Sequence, residues 1–250
     1  RGAVFDLTGK VALVTGGSRG LGRSIVLGFA AAGADVIIAS RKLHSCEAVA
    51  KEVDGATGRR ALPVACHVGI WHEIDALVDV SYQTFGRVDV LVNNAGMSPL
   101  YPDPVSVTEE LYDKVFAVNL KGPFRLSALV GERMVAAGSG SIINVSSTGS
   151  MHPTKDMIPY SAAKAGLNAM TAAFADALGP TVRVNCIVPG GFETDVTRAW
   201  GEEMKRRAAE RPALHRLGDP DEVVGTALYF ASDASSYTTG ALLRVDGGMW

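Results

Sequence analysis

Tyr160 and Lys164 stand four residues apart in YSAAK, a spacing that puts both side chains on one face of a helix. A free phenol ionises at about pH 10, too high for ready proton exchange at neutral pH. A nearby ammonium favours the phenolate and lowers that value. Such a pair suits proton transfer at an oxygen atom. Ser147 lies thirteen residues before Tyr160, directly after the β-rich run SIINVS. Its hydroxyl can hydrogen-bond a substrate oxygen and steady the charge that develops there. Ser146 is adjacent, but strand alternation turns it to the opposite face. Chance produces a YxxxK pair easily, so the surrounding elements must decide whether these residues meet.

Seven β-rich runs recur along the chain: 10–15, 35–40, 60–65, 88–93, 141–146, 182–187 and 241–245. They are nearly unbroken apolar stretches rich in Val and Ile, as strands covered on both faces are. Helical spacing fills the intervals 20–32, 43–54, 70–84, 109–136, 160–178 and 220–231. This alternation predicts an α/β fold, a doubly wound parallel sheet with helices on both faces. No linker or repeat interrupts it, so residues 1–250 are expected to form one domain. Strand ends and helix starts meet at the carboxyl edge of such a sheet, where Ser147 and Tyr160 can converge.

The first strand runs into TGGSRGLG. Gly16 can take backbone angles that other residues resist, and Gly20 and Gly22 leave room for a ligand's phosphates beside the helix start. Ser18, Arg19 and Leu21 complete the loop. The spacing is not the usual dinucleotide G-x-G-x-x-G, so the loop alone also fits a plain strand–helix turn. The second strand ends in Ser40-Arg41-Lys42, where an acid would be needed to bind a ribose 2′-hydroxyl. An arginine fork there suits a 2′-phosphate, and Arg19 can approach it from the glycine loop. NADP(H) is therefore the expected cofactor, with NAD(H) the lesser choice.

The 250 residues are 47% hydrophobic and carry a formal charge of −2, enough for a sizeable core and without a basic stripe for nucleic acid. No apolar run is long enough to span a membrane and no signal-peptide pattern is evident, so a cytoplasmic protein is expected. Cys46, Cys66 and Cys186 are widely spaced, which suggests reduced thiols and no metal site.

Along nearly its whole length the chain resembles the classical short-chain dehydrogenases/reductases. TGGSRGLG is similar to that family's TGxxxGxG, and NNAG at 93–96 to its motif after the fourth strand. Asn119 in VNLKG, Ser147 and YSAAK resemble its catalytic tetrad, and VPG at 188–190 followed by Thr194 its nicotinamide-side motif. RLGDPDEV and TGALLRVDGG resemble its C-terminal pattern. The resemblance implies a seven-stranded sheet and hydride transfer between nicotinamide and a carbonyl or alcohol. It makes Tyr160 the proton donor, with Lys164 also holding the nicotinamide ribose and Asn119 ordering a water in a proton relay. It sets Asn94, Ala95 and Gly96 beside the adenine ribose. Pro189, Gly190, Phe192 and Thr194 fall beside the nicotinamide.

The chain departs from the family at His67-Val68, where Asp-Val is common; an imidazole can accept a hydrogen bond from adenine or stack on it. The stretch between Ser147 and Tyr160 carries His152, Lys155 and Met157 as candidate substrate contacts. Residues 194–214 resemble a lid, with Trp200 and Met204 one helical turn apart. The resemblance implies subunit contacts through helices 109–136 and 160–178 and so a homo-oligomer, a tetramer or dimer; from sequence alone the two helices could equally bury against the sheet. The substrate is expected to be a 3-oxoacyl thioester or a small ketone, diketone, quinone or sugar-derived ketone. Arg125, Arg133 and the lid arginines keep an acyl-carrier protein in view. An NAD-linked alcohol or sugar dehydrogenase is the nearest alternative, and a non-catalytic dinucleotide sensor or scaffold the alternative of another class.

Overall fold

The strands alternate faces residue by residue, which explains their unbroken apolar character. In β1 (Val11–Thr15), Ala12 and Val14 face one core while Val11 and Leu13 face the other. In β2 (Asp35–Ser40), Val36 and Ile38 join the first core, and Ile37 and Ala39 the second. The computed structural model describes residues 4–198 and 201–249. Its seven strands form one parallel sheet in the order β3-β2-β1-β4-β5-β6-β7. The remaining strands are β3 (Ala61–Ala65), β4 (Val90–Asn93), β5 (Gly140–Val145), β6 (Val182–Pro189) and β7 (Leu242–Val245).

One face is covered by α1 (Gly20–Ala31), α2 (Leu43–Thr57) and α9 (Val224–Ala231), through Ile25, Phe29, Val49, Val53 and Phe230. The other is covered by α3 (Trp71–Phe85), α5 (Gly122–Ala137) and α6 (Ile158–Leu178), through Ile74, Leu77, Leu126, Met134 and Ala175. Short helices α4 (Glu109–Phe116), α7 (Asp195–Arg198) and α8 (Glu202–Glu210) lie in the connections. This is the doubly wound Rossmann-like arrangement expected from the alternation of strands and helices.

Two boundaries differ from expectation. The helix expected over 109–136 is broken by a π turn at Ala117–Lys121, between α4 and α5. Pro123 is the physical reason: it has no N–H to bond back to the carbonyl of residue 119. The helix expected from 220 opens as a 3₁₀ turn, Pro220–Val223, capped by Asp219 with Glu222 reaching back. Because β1 lies between β2 and β4, the chain reverses its direction of growth there. A crevice opens at the carboxyl ends of those two strands.

Candidate active site

The crevice is a cleft of about 460 Å³. Its lining includes Gly16, Ser18, Arg19, Gly20, Leu21 and Gly22 from the first loop, and Ser40, Arg41 and Lys42 from the end of β2. His67 and Val68, Asn94 to Gly96, and Thr194 also line it. Gly16 holds a φ of +65°, and a Cβ there would lie 3.0 Å from the Ala95 backbone. At Gly22 a Cβ would come within 2.2 Å of the Gly16 carbonyl oxygen, so the helix start rests directly on the loop. The first turn of α1 has no side-chain cap and no acidic residue. Its N–H groups and positive dipole end suit a pyrophosphate. With the exposed cations Arg19, Arg41 and Lys42 at the same cleft, these residues fit a phosphorylated dinucleotide.

Asn94 works from behind this loop as well as lining the cleft. Its Nδ2 donates to the carbonyls of Thr15 (2.9 Å) and Gly16 (3.2 Å), which ties the end of β4 to the end of β1. The Thr15 hydroxyl accepts from the backbone N–H groups of Asn94 and Ala95. Thr15 opens the TGGSRGLG motif, but nothing in the sequence points to a role for its hydroxyl. His67 is also held locally: its N–H donates to Glu73 Oε2 (2.7 Å), and its Nδ1 accepts from Gly69 N–H (3.1 Å). The acceptor nitrogen is thus spent within the loop, and a neutral ring offers Nε2–H, a donor, where an acceptor was considered. Cys66 beside it is inert, since burial and the Glu73 carboxylate push its thiol up to about 12.

Tyr160 occupies the first turn of α6 and Lys164 the next. Lys164 is buried; its Nζ lies 5.9 Å from the Tyr160 ring centre and donates to the Val145 carbonyl at 2.7 Å. Burial pulls the ammonium down to about 8. Burial also pushes the Tyr160 phenol above its ordinary value, while a hydrogen bond with Ser147 acts in the opposite sense. Burial, rather than the Lys164 charge, is therefore the larger influence on the phenol within the protein alone. Ser147 caps the short turn Thr148–Ser150, its Oγ accepting from Gly149 N–H at 3.1 Å. Ser146 turns inward, and its Oγ donates to the Lys164 carbonyl.

Asn119 is fully buried in the π turn. Such a turn shifts the hydrogen-bond ladder by one residue and releases a carbonyl. Asn119 Nδ2 donates to the Val115 carbonyl and to the Met97 carbonyl, both at 2.9 Å. Its Oδ1 accepts from Met97 N–H at 3.3 Å. Asn119 thereby anchors the segment that leaves β4.

Pro189 ends β6 and Gly190 packs against Asp246, where a Cβ would lie 2.9 Å from Asp246 Cα. The Phe192 ring is buried in the core, against Gly218. Thr194, two residues on, lines the cleft. In the stretch before Tyr160, His152 and Lys155 are exposed, and Met157 approaches Gly149. In the lid region Met204 sits on α8, half exposed, while Trp200 lies outside the described residues. Further cleft residues that the sequence did not single out are Ala39, Ser45, Met97, Val118 and Asp195. Only their adjacency to the recognised motifs could have found them. Among the described residues no group of His, Cys, Asp or Glu could hold a metal ion, and all three cysteines are free and buried.

The short chain dehydrogenase family model matches residues 10–205. The chain is 39% identical over 246 residues to the 3-oxoacyl-[acyl-carrier-protein] reductase FabG of Thermotoga maritima, covering 97% of this chain and 98% of that protein. It is also 39% identical to the 2-dehydro-3-deoxy-D-gluconate 5-dehydrogenase of Pseudoalteromonas atlantica, covering 98% and 97% respectively. Among solved structures, the NADPH-dependent 3-quinuclidinone reductase of Rhodotorula rubra is similar, with a TM-score of 0.93 and 29% identity, covering 99% of this chain and 95% of that one.

Proposed function

The chain belongs to the short-chain dehydrogenase family, and on that premise we propose that this oxidoreductase is an NADPH-dependent reductase of free carbonyl compounds. The observation that carries the reading is one juxtaposition. Tyr160 gathers with Ser147 and Lys164, and Lys164 Nζ would lie 3.7 Å from a Cβ on Gly96, which lines the cleft that carries Arg19, Arg41 and Lys42. A nicotinamide dinucleotide supplies the hydride to the carbonyl carbon. Tyr160 gives its proton to the carbonyl oxygen, and the product is the alcohol. The raised phenol value keeps that proton in place at neutral pH, which suits reduction. Ser147 donates to the same oxygen as charge builds on it. Lys164 would hold the ribose hydroxyls, Arg41 and Arg19 the 2′-phosphate, and the N-terminus of α1 the pyrophosphate of a bound dinucleotide. The reverse reaction, oxidation of a secondary alcohol, uses the same groups.

A free ketone is favoured over a carrier-bound thioester by the charge around the site. Arg125 pairs with Asp75 and Arg133 with Asp79. On α8, Arg206 pairs with Glu203 and Glu210, Arg207 with Glu203, and Lys205 with Glu202. These cations already share their charge with carboxylates of this chain, a poor match for the acidic face of a carrier protein. Ile158, two residues before Tyr160, is exposed and offers an apolar side chain at the start of α6. The name of the Thermotoga relative favours the thioester as a second reading.

The test is NADPH oxidation with an acetoacetyl thioester beside a panel of ketones, diketones and quinones. We expect kcat/KM at least tenfold higher for the best free carbonyl; preference for the thioester would reverse the assignment. A cytoplasmic setting and a homo-oligomer, tetramer or dimer, complete the proposal. The oligomer is supported by exposed Phe124 and Val135 on α5 and by Leu242 and Leu243 on the edge strand β7.

A further inference from the structure

We infer that Tyr101 is a positioning residue for the proton donor. This inference rests on the assignment of Tyr160 as the acid. Tyr101 lies in the segment between β4 and α4, far from Tyr160 in sequence, yet its hydroxyl reaches the start of α6. It accepts from Ile158 N–H at 2.6 Å and donates to the Lys155 carbonyl at 3.0 Å. Ile158 is the first residue of α6, two positions before Tyr160. The first N–H groups of a helix have no partner within it, and α6 has no side-chain cap from its N-cap residue. The Tyr101 phenol supplies the missing acceptor from another part of the chain. It simultaneously fixes the short turn Lys155–Met157 that leads into the helix.

The same segment is tied at its other end. Met97 exchanges hydrogen bonds with Asn119 through both its N–H and its carbonyl. Residues 97–101 thus form a strap, with one end on a cleft-lining residue and the other on the helix turn that bears the acid. Tyr101 and Tyr160 also line the same small void, together with Leu111, Val115, Met157 and Pro159. Through these two hydrogen bonds Tyr101 sets where the first turn of α6, and with it the Tyr160 hydroxyl, stands relative to Ser147.

Tyr101→Phe removes both hydrogen bonds and keeps the ring. Because sub-ångström placement of a reacting group governs rate, kcat for ketone reduction should fall about tenfold. KM for NADPH should stay within about twofold, since Tyr101 does not line the dinucleotide cleft. The solvent deuterium isotope effect on kcat should rise, because proton delivery becomes slower relative to the other steps. A residue that merely supported the fold would lower thermal stability and cofactor affinity together and leave the isotope effect alone, and that result overturns the inference. Tyr160→Phe is measured in parallel. If Tyr160→Phe is inactive and Tyr101→Phe retains full kcat, the positioning role fails alone. If Tyr160→Phe retains turnover, the acid assignment fails and the positioning role fails with it.

Discussion

Lys164 shows what a functional residue costs the fold. Its ammonium is buried against β5, with the Val145 carbonyl as its hydrogen-bond acceptor. Burial lowers it from an ordinary 10.5 to about 8. Between those values the unfolded chain binds a proton that the folded chain has lost. Stability from this group therefore rises as pH climbs from about 8 to 10.5. Below pH 8 the folded state bears the whole burial penalty; above 10.5 both states are neutral and the penalty is gone. Lys164→Met should consequently raise stability at pH 7 while abolishing turnover. The gain is on the order of 2 kcal/mol, since the relieved penalty is partly offset by the Val145 carbonyl losing its donor. Urea melts at pH 7 and pH 10 should show the advantage of the variant shrinking at the higher pH. An advantage that stays constant across that range would mean that folding does not lower the Lys164 ammonium from its ordinary value.

At the scale of elements, the parts that read clearly from sequence are those whose signal is local. Strands buried on both faces announce themselves by unbroken Val and Ile. YSAAK puts its two reactive groups on one helix face whatever the helix packs against. The apolar spacing on either side of the π turn suggests a continuous helix, and the bond from Asn119 Nδ2 to the Val115 carbonyl has no pattern of its own. The resemblance sets Phe192 on the nicotinamide side, but the packing of its ring on Gly218 depends on a residue 26 positions away and has no local signal. Thr15 and Tyr101 act through contacts that no spacing predicts.

The junction at Gly122 follows from the same turn. A Cβ there would lie 2.1 Å from the Val68 carbonyl oxygen, so the start of α5 presses on the loop after β3. Gly122→Ala has no flexible side chain to push aside. It should destabilise by about 1–3 kcal/mol. Because Val68 lines the cleft, it should also raise the NADPH dissociation constant several-fold. Denaturant melts and fluorescence titration measure the two effects independently; a stability loss with unchanged affinity would mean the loop after β3 does not contribute to cofactor binding.

At the scale of the whole molecule, the cleft collects residues from the ends of β1, β2, β3 and β4. A ligand that touches all four strand ends must bind the folded state alone, so occupancy couples directly to global unfolding. At a hundred times its dissociation constant such a ligand stabilises by about 2.7 kcal/mol. For a chain of this length that corresponds to about 5–10 °C in Tm. The two cofactor forms differ by one phosphate, and Arg41 and Arg19 are exposed cations at the cleft suited to meet it. At equal concentration NADPH should therefore raise Tm by several degrees more than NADH does. Arg41→Ala should collapse that gap, lowering the NADPH shift toward the NADH shift and leaving the NADH shift nearly unchanged, because only the 2′-phosphate loses its partner. Equal loss for both cofactors would locate Arg41 on a part of the dinucleotide common to the two and remove the basis for NADPH preference. Thermal melts need no knowledge of the carbonyl substrate, so this test separates the choice of cofactor from the choice of ketone.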